Sequence, residues 1–239
     1  MLSPIHQDPA YHRFADDRIW LGVPHAGDTL SNAAFLLVGA AGLVFLWRER
    51  AAGRRFAAPG ELRAYWLLFG AVAATAFGSA YYHLAPDDAR LVWDRLPMAI
   101  GFTSLVGAVV GERVNARLGS RLVVPLVALG IASVLYWATS GDLRPYLLTQ
   151  YGSLVAVLVV ATICRSRYTQ GSVLFVAVGL YVLGKLAEAY DRQVFGLSGH
   201  VLSGHTLKHL LAAAALAAIL GSLALRRPRQ TCALAPLAP

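Results

Sequence analysis

Seven apolar stretches, each near the ~20 residues a helix needs to cross ~30 Å of hydrocarbon, leave this chain few ways to fold. They run Thr29–Trp47, Leu62–His83, Val92–Gly111, Arg121–Ala138, Pro145–Ile163, Gly171–Tyr190 and Val201–Ala224. Short connections join them, so the expectation is an all-α integral membrane protein, a single seven-transmembrane helix bundle without a soluble domain or internal repeat. Composition agrees: 14% of residues are charged, against roughly a quarter in soluble domains. Residues 1–28 form a polar N-terminal segment, 29–225 the bundle, and 226–239 a short basic then Ala/Pro tail, expected to be disordered after Arg229. Met1 to Trp20 lacks an apolar h-region, so no cleavable signal peptide is expected.

Arginine placement sets the expected orientation. Arg48, Arg50, Arg54, Arg55, Arg113, Arg117, Arg121, Arg165, Arg167, Arg226, Arg227 and Arg229 fall on one side, and Arg13, Arg18, Arg90, Arg144 and Arg192 on the other, 12 against 5. Arg63 and Arg95 lie inside spans. The basic side is expected to be cytoplasmic, with the N-terminus outside and the C-terminus in the cytoplasm. This topology accounts for the net charge of +8 without nucleic acid. Cys164 and Cys232 both fall on the reducing side, as free thiols.

Three positions carry candidate chemistry. His205 and His209 are four apart at the head of the seventh stretch, so on a helix they share a face, a spacing that can bind one metal. Ser79 and His83 are four apart at the end of the second stretch, and Asp94 opens the third. Alternating topology brings all five to one leaflet, with Ser79 and His209 about 6 Å deeper than their histidine partners. Three neutral imidazoles with an open fourth position suit catalytic zinc. Asp94 can then carry the proton and Ser79 can donate to an oxyanion. The alternative is that residues near helix ends simply reach water; it serves for any one histidine and less well for five residues at one depth.

Other polar residues are read more plainly. His6, His12, His25 and His200 lie outside the helices as surface residues. Lys185 and Glu188, three apart, form a structural ion pair. Lys208 lies between the paired histidines in sequence but on a different face, which makes it a poor ligand candidate, and it can reach a carboxylate on a neighbouring helix, Glu188 or Asp94. Asp28, Ser31 and Asn32 either cap the first helix or support the metal ligands. Tyr81, Tyr82 and Trp93 fit an aromatic belt.

The chain resembles the CREST superfamily of seven-helix membrane hydrolases, and within it the alkaline ceramidases, particularly short bacterial members. The residues that carry the likeness are Asp28-Thr29-Leu30-Ser31-Asn32, Gly78-Ser79-Ala80-Tyr81-Tyr82-His83, Trp93-Asp94-Arg95-Leu96-Pro97 and His205-Thr206-Leu207-Lys208-His209. It spans about Asp28 to Leu220. It implies zinc on His83, His205 and His209, Asp94 acting on the attacking water, and Ser79 supporting the transition state. The implied reaction is hydrolysis of the N-acyl bond of ceramide, a membrane lipid, in a bacterial plasma membrane with the site toward the outer leaflet. Eukaryotic members bind calcium through an acidic N-terminal segment; here His25 replaces a glutamate and Asp16-Asp17 do not reproduce the rest, so calcium dependence is not expected. Two readings from other classes are a zinc-containing receptor of the progestin/adipoQ type without hydrolysis, and a transporter using Lys185 and Glu188. The N-out orientation opposes the receptor, and no broken-helix or inverted-repeat pattern supports transport.

Overall fold

A computed structural model describes residues 3–229; Cys232 and the Ala/Pro tail lie outside the described residues. Among the described residues, nine α-helices follow a short 3-10 turn at Pro9–His12: α1 Ala26–Leu30, α2 Ala33–Ala52, α3 Gly60–Leu84, α4 Asp88–Arg113, α5 Ala116–Ser140, α6 Arg144–Ile163, α7 Val173–Ala189, α8 Asp191–Leu197 and α9 Gly204–Leu225. Each apolar stretch is helical, and five spans are long and apolar enough to cross a membrane. A sixth arises if α7 and α8, bent by 86° at Tyr190, form one. The remaining helix, α4, is more polar because it begins with Asp88, Arg90, Asp94 and Arg95.

Local chemistry fixes the helix ends. Asp87 accepts from the Arg90 amide at 2.7 Å to start α4, and Asn115 accepts from two amides to start α5. Ser203 accepts from the Thr206 amide at 2.8 Å to start α9, all ordinary N-caps. The helices α2 and α5 stop at Gly53 and Gly141, whose positive φ of 61° and 73° suits glycine.

The helix α4 sits centrally, packed on α3, α5 and α6, while α9 packs chiefly on α7 and α2. An apolar cavity of about 390 Å³ lies between these groups. Two close approaches set its polar end. A Cβ on Gly78 would stand 2.1 Å from the Trp93 carbonyl oxygen, which Pro97, lacking an N–H, cannot engage in the usual helical bond. Gly78 thus brings Ser79 alongside Asp94. A Cβ on Gly204 would stand 2.0 Å from the Ala187 carbonyl oxygen, so glycine lets the head of α9 pack onto the end of α7.

The opposite end is locked by Arg226, 2% exposed. It donates to Glu112 at 2.9 Å and to the Arg55 carbonyl, approaches Glu61 at 3.6 Å, and stacks on Tyr168. Sequence placed Arg226 among the flanking arginines; its side chain is instead a buried strut.

The N-terminal segment is strapped to the α5–α6 connection. Leu143 donates its amide to the Ile5 carbonyl at 2.8 Å, and Ile5 donates to Asp142 at 3.3 Å. Arg144 donates to Asp142 through Nε and Nη2, at 2.9 and 2.6 Å, and holds that carboxyl down to about 2. A carboxyl depressed in the folded state stabilises it above the ordinary carboxylate range and loses that contribution as pH falls. Acidification from about pH 4 to pH 2 is therefore expected to raise hydrogen exchange at the Ile5 and Leu143 amides before the bundle opens. Asp142→Asn should abolish that pH step.

Candidate metal centre

His83 comes from the last turn of α3, and His205 and His209 from the first turns of α9. Their exposures are 0%, 4% and 3%, and one nitrogen from each lies within 4.8 Å of the others. Ring centroids stand 4.7 Å apart for His83 and His205, 5.2 Å for His83 and His209, and 4.8 Å for His205 and His209. A tetrahedral zinc site places its nitrogens ~3.3 Å apart, so modest closure of the rings would form it.

The donor set fits a metal. Neither ring nitrogen of His83 has a hydrogen-bond partner despite full burial, an arrangement that costs free energy unless something binds there. The Ser31 hydroxyl donates its one hydrogen to the Asp28 carbonyl at 3.0 Å, so at 2.8 Å it accepts from Nδ1 of His209. That leaves Nε2 of His209 with its lone pair toward the site. Orientation of a ligand histidine by an outer hydrogen bond is a common feature of metal sites. Between the two roles read for Ser31, support of a ligand is the one its geometry fits.

His205 is positioned through its backbone, whose amide donates to Asp191 at 2.8 Å. Its Nε2 accepts from the Lys208 ammonium at 2.8 Å, while Nδ1 faces Glu188 at 3.7 Å. Lys208 also donates to Glu188 at 2.8 Å, so an ion binding Nε2 would displace one lysine contact and leave the other. Glu188 is shared by Lys208 and Lys185. The sequence-level ion pair is thus a three-membered cluster beside the histidines.

Ser79 and Asp94 are both buried, and they face each other where α3 and α4 touch at Gly78 and the Trp93 carbonyl. Together with His209 they line the polar end of the cavity. Asp28 accepts from Ser203 and Thr206, each at 2.6 Å, and ties α1 to the head of α9. Tyr81 and Trp93 are exposed as an aromatic belt requires, but Tyr82 is only 1% exposed and its hydroxyl meets Nδ1 of His12 at 2.9 Å. Tyr82 therefore belongs to the core. His12 and His25 are also half-buried rather than free on the surface.

The residue sequence reasoning missed is Phe14. Its ring packs 4.6 Å from both His83 and His205, closing the imidazoles from the N-terminal side. One aromatic in a polar segment gives no periodic signal.

No protein-family model, curated protein or solved structure matches this chain, so the centre stands on its own geometry. His209→Ala is expected to abolish stoichiometric metal binding, read by elemental analysis of protein purified without added metal. Ser31→Ala, which keeps all three ligands, should weaken metal affinity about 10–100-fold in chelator competition.

Proposed function

We propose that this chain is a zinc-dependent intramembrane lipid amidase of the ceramidase type. The observation that carries the reading is the joining of three buried imidazoles, a Ser79–Asp94 pair and an apolar cavity in one place. With α4 and the bent α7–α8 pair counted as spans, the bundle has seven. The arginine distribution supports an N-terminus outside and, with it, a metal centre toward the outer leaflet, in our reading that of a plasma membrane.

The cavity suits a lipid. Its lining runs from Ser79, Asp94 and His209 down α9 to Ile219, about 15 Å of helix. An amide near the headgroup boundary could lie at the polar end with an alkyl chain below. A water-soluble amide would leave the apolar wall unused.

Zinc held by His83, His205 and His209 supplies Lewis acidity toward a carbonyl and acidifies water. Asp94 takes one proton from the attacking water and returns one to the leaving amine nitrogen, so the C–N bond breaks with a fatty acid and a free amine as products. Ser79 has one hydroxyl hydrogen to give, and from its place beside Asp94 it can donate that hydrogen to the oxyanion.

The test offers a fluorescent ceramide to the zinc-loaded protein and follows fatty-acid release. Asp94→Asn should lower kcat about 10²–10⁴-fold and Ser79→Ala about 10²–10³-fold, both retaining metal. Wild-type turnover in both variants would sink the mechanism. Metal binding with no hydrolysis of any lipid amide would favour a receptor or binding protein.

A further inference from the structure

Arg95 is a buried cation that the protein itself leaves incomplete. It is 6% exposed, and its Nη1 has no hydrogen-bond partner. Its Nη2 donates to the Gln7 side-chain oxygen at 2.6 Å. The guanidinium lies 4.1 Å from the Trp137 ring centroid, 4.9 Å from Tyr146 and 5.6 Å from Tyr11. Among the described residues no carboxylate forms an ion pair with it. Arg226, the comparably buried arginine at the other end, has Glu112 and Glu61 beside it.

Aromatic faces accommodate a guanidinium without neutralising it. Its fork matches carboxylate and phosphate oxygens, so a buried fork with a free N–H and no carboxylate beside it can take one. Arg95 lines the same cavity as Ser79 and Asp94, directly after Asp94 in α4. The charged residues lining the cavity balance, with Arg95, Lys185 and Lys208 against Asp8, Asp94 and Glu188, but both lysines are engaged by Glu188 and Arg95 has no carboxylate of its own. A divalent ion on three neutral imidazoles would tip that balance to positive.

We propose that the cavity selects N-acyl lipids carrying an anionic group on the amine side, with Arg95 as the receptor for that anion. The reaction rests on the amidase reading above; the binding does not. Ceramide offers Nη1 only neutral hydroxyls, whereas an N-acyl amino acid or a phosphorylated N-acyl amine offers the anionic oxygen that Arg95 lacks.

Three ligands with one acyl chain test this: N-oleoylglycine, N-oleoylethanolamine phosphate and neutral N-oleoylethanolamine. On zinc-loaded wild type, at least one anionic ligand should exceed the neutral one about tenfold or more in kcat/KM, mainly through KM. Whether carboxylate or phosphate leads identifies the headgroup. Arg95→Gln should lose that preference while changing the neutral substrate less than about threefold, and Arg95→Lys should keep part of it. If Arg95→Gln does not fold, the wild-type ranking and Arg95→Lys decide. Ligand-induced thermal stabilisation, measured in parallel, separates binding from chemistry. Arg95-dependent binding without cleavage would overturn the amidase reading and leave this inference standing. Equal handling of all three ligands by the wild type, or an equal loss of all three in Arg95→Gln, would overturn the inference.

Discussion

An imidazole inside an apolar bundle costs free energy unless its nitrogens find partners, and both nitrogens of His83 are buried without one. Each such group forfeits about 1–3 kcal/mol, a serious fraction of the 5–15 kcal/mol that holds a typical domain together. Phe14 covers His83 and His205 from the N-terminal side. A divalent cation would relieve part of the deficit, taking one lone pair from each of three neutral rings. Much of the surrounding structure reads as a means of holding those rings in place.

Several unrelated contacts serve that placement. Gly204 permits the head of α9 to touch the end of α7, and Asp191 receives the His205 amide there. Asp28 binds Ser203 and Thr206 from the other side, so the first turn of α9 is held between α1 and the α7–α8 bend. Gly78 packs against the carbonyl that Pro97 leaves free, which sets α3 against α4 and Ser79 beside Asp94. Remove a Cβ-free position and two backbones must separate; the side chains they carry would separate with them.

Periodic and topological features were legible in the sequence. Each long apolar stretch became helix, and His83, His205 and His209 converge because antiparallel spans return to the same end. Features without a pattern were not legible. Phe14 and Tyr11 lie in the polar N-terminal segment, which carries no motif, yet it folds back over the site through contacts to Leu143 and Asp191. The roles of Ser31 and Arg226 depend on which neighbour lies within 3 Å, and chain spacing does not encode that. Tyr82 carries the same residue type as Tyr81, one position on, but a 100° rotation about α3 turns it from the belt into the core.

The cavity lies beside a helix, α9, that is anchored at both ends and packs on α7 and α2 between them. Its head is fixed by Asp28 and Asp191, and Arg226, just beyond its end, is fixed by Glu112 and the Arg55 carbonyl. Between these anchors its extensive packing is with α7 and α2, not α3 or α4. A helix free at either end would be expected to tilt and fill the gap, since apolar surface gains dispersion contacts on closing. Charged and hydrogen-bonded anchors resist that collapse, so the space between His209 and Ile219 stays open. The buried ion pair at one end of α9 thus bears on the other end's chemistry without touching it. By holding the end of α9 in place, it preserves the apolar space beneath the imidazoles, room that an alkyl chain could fill.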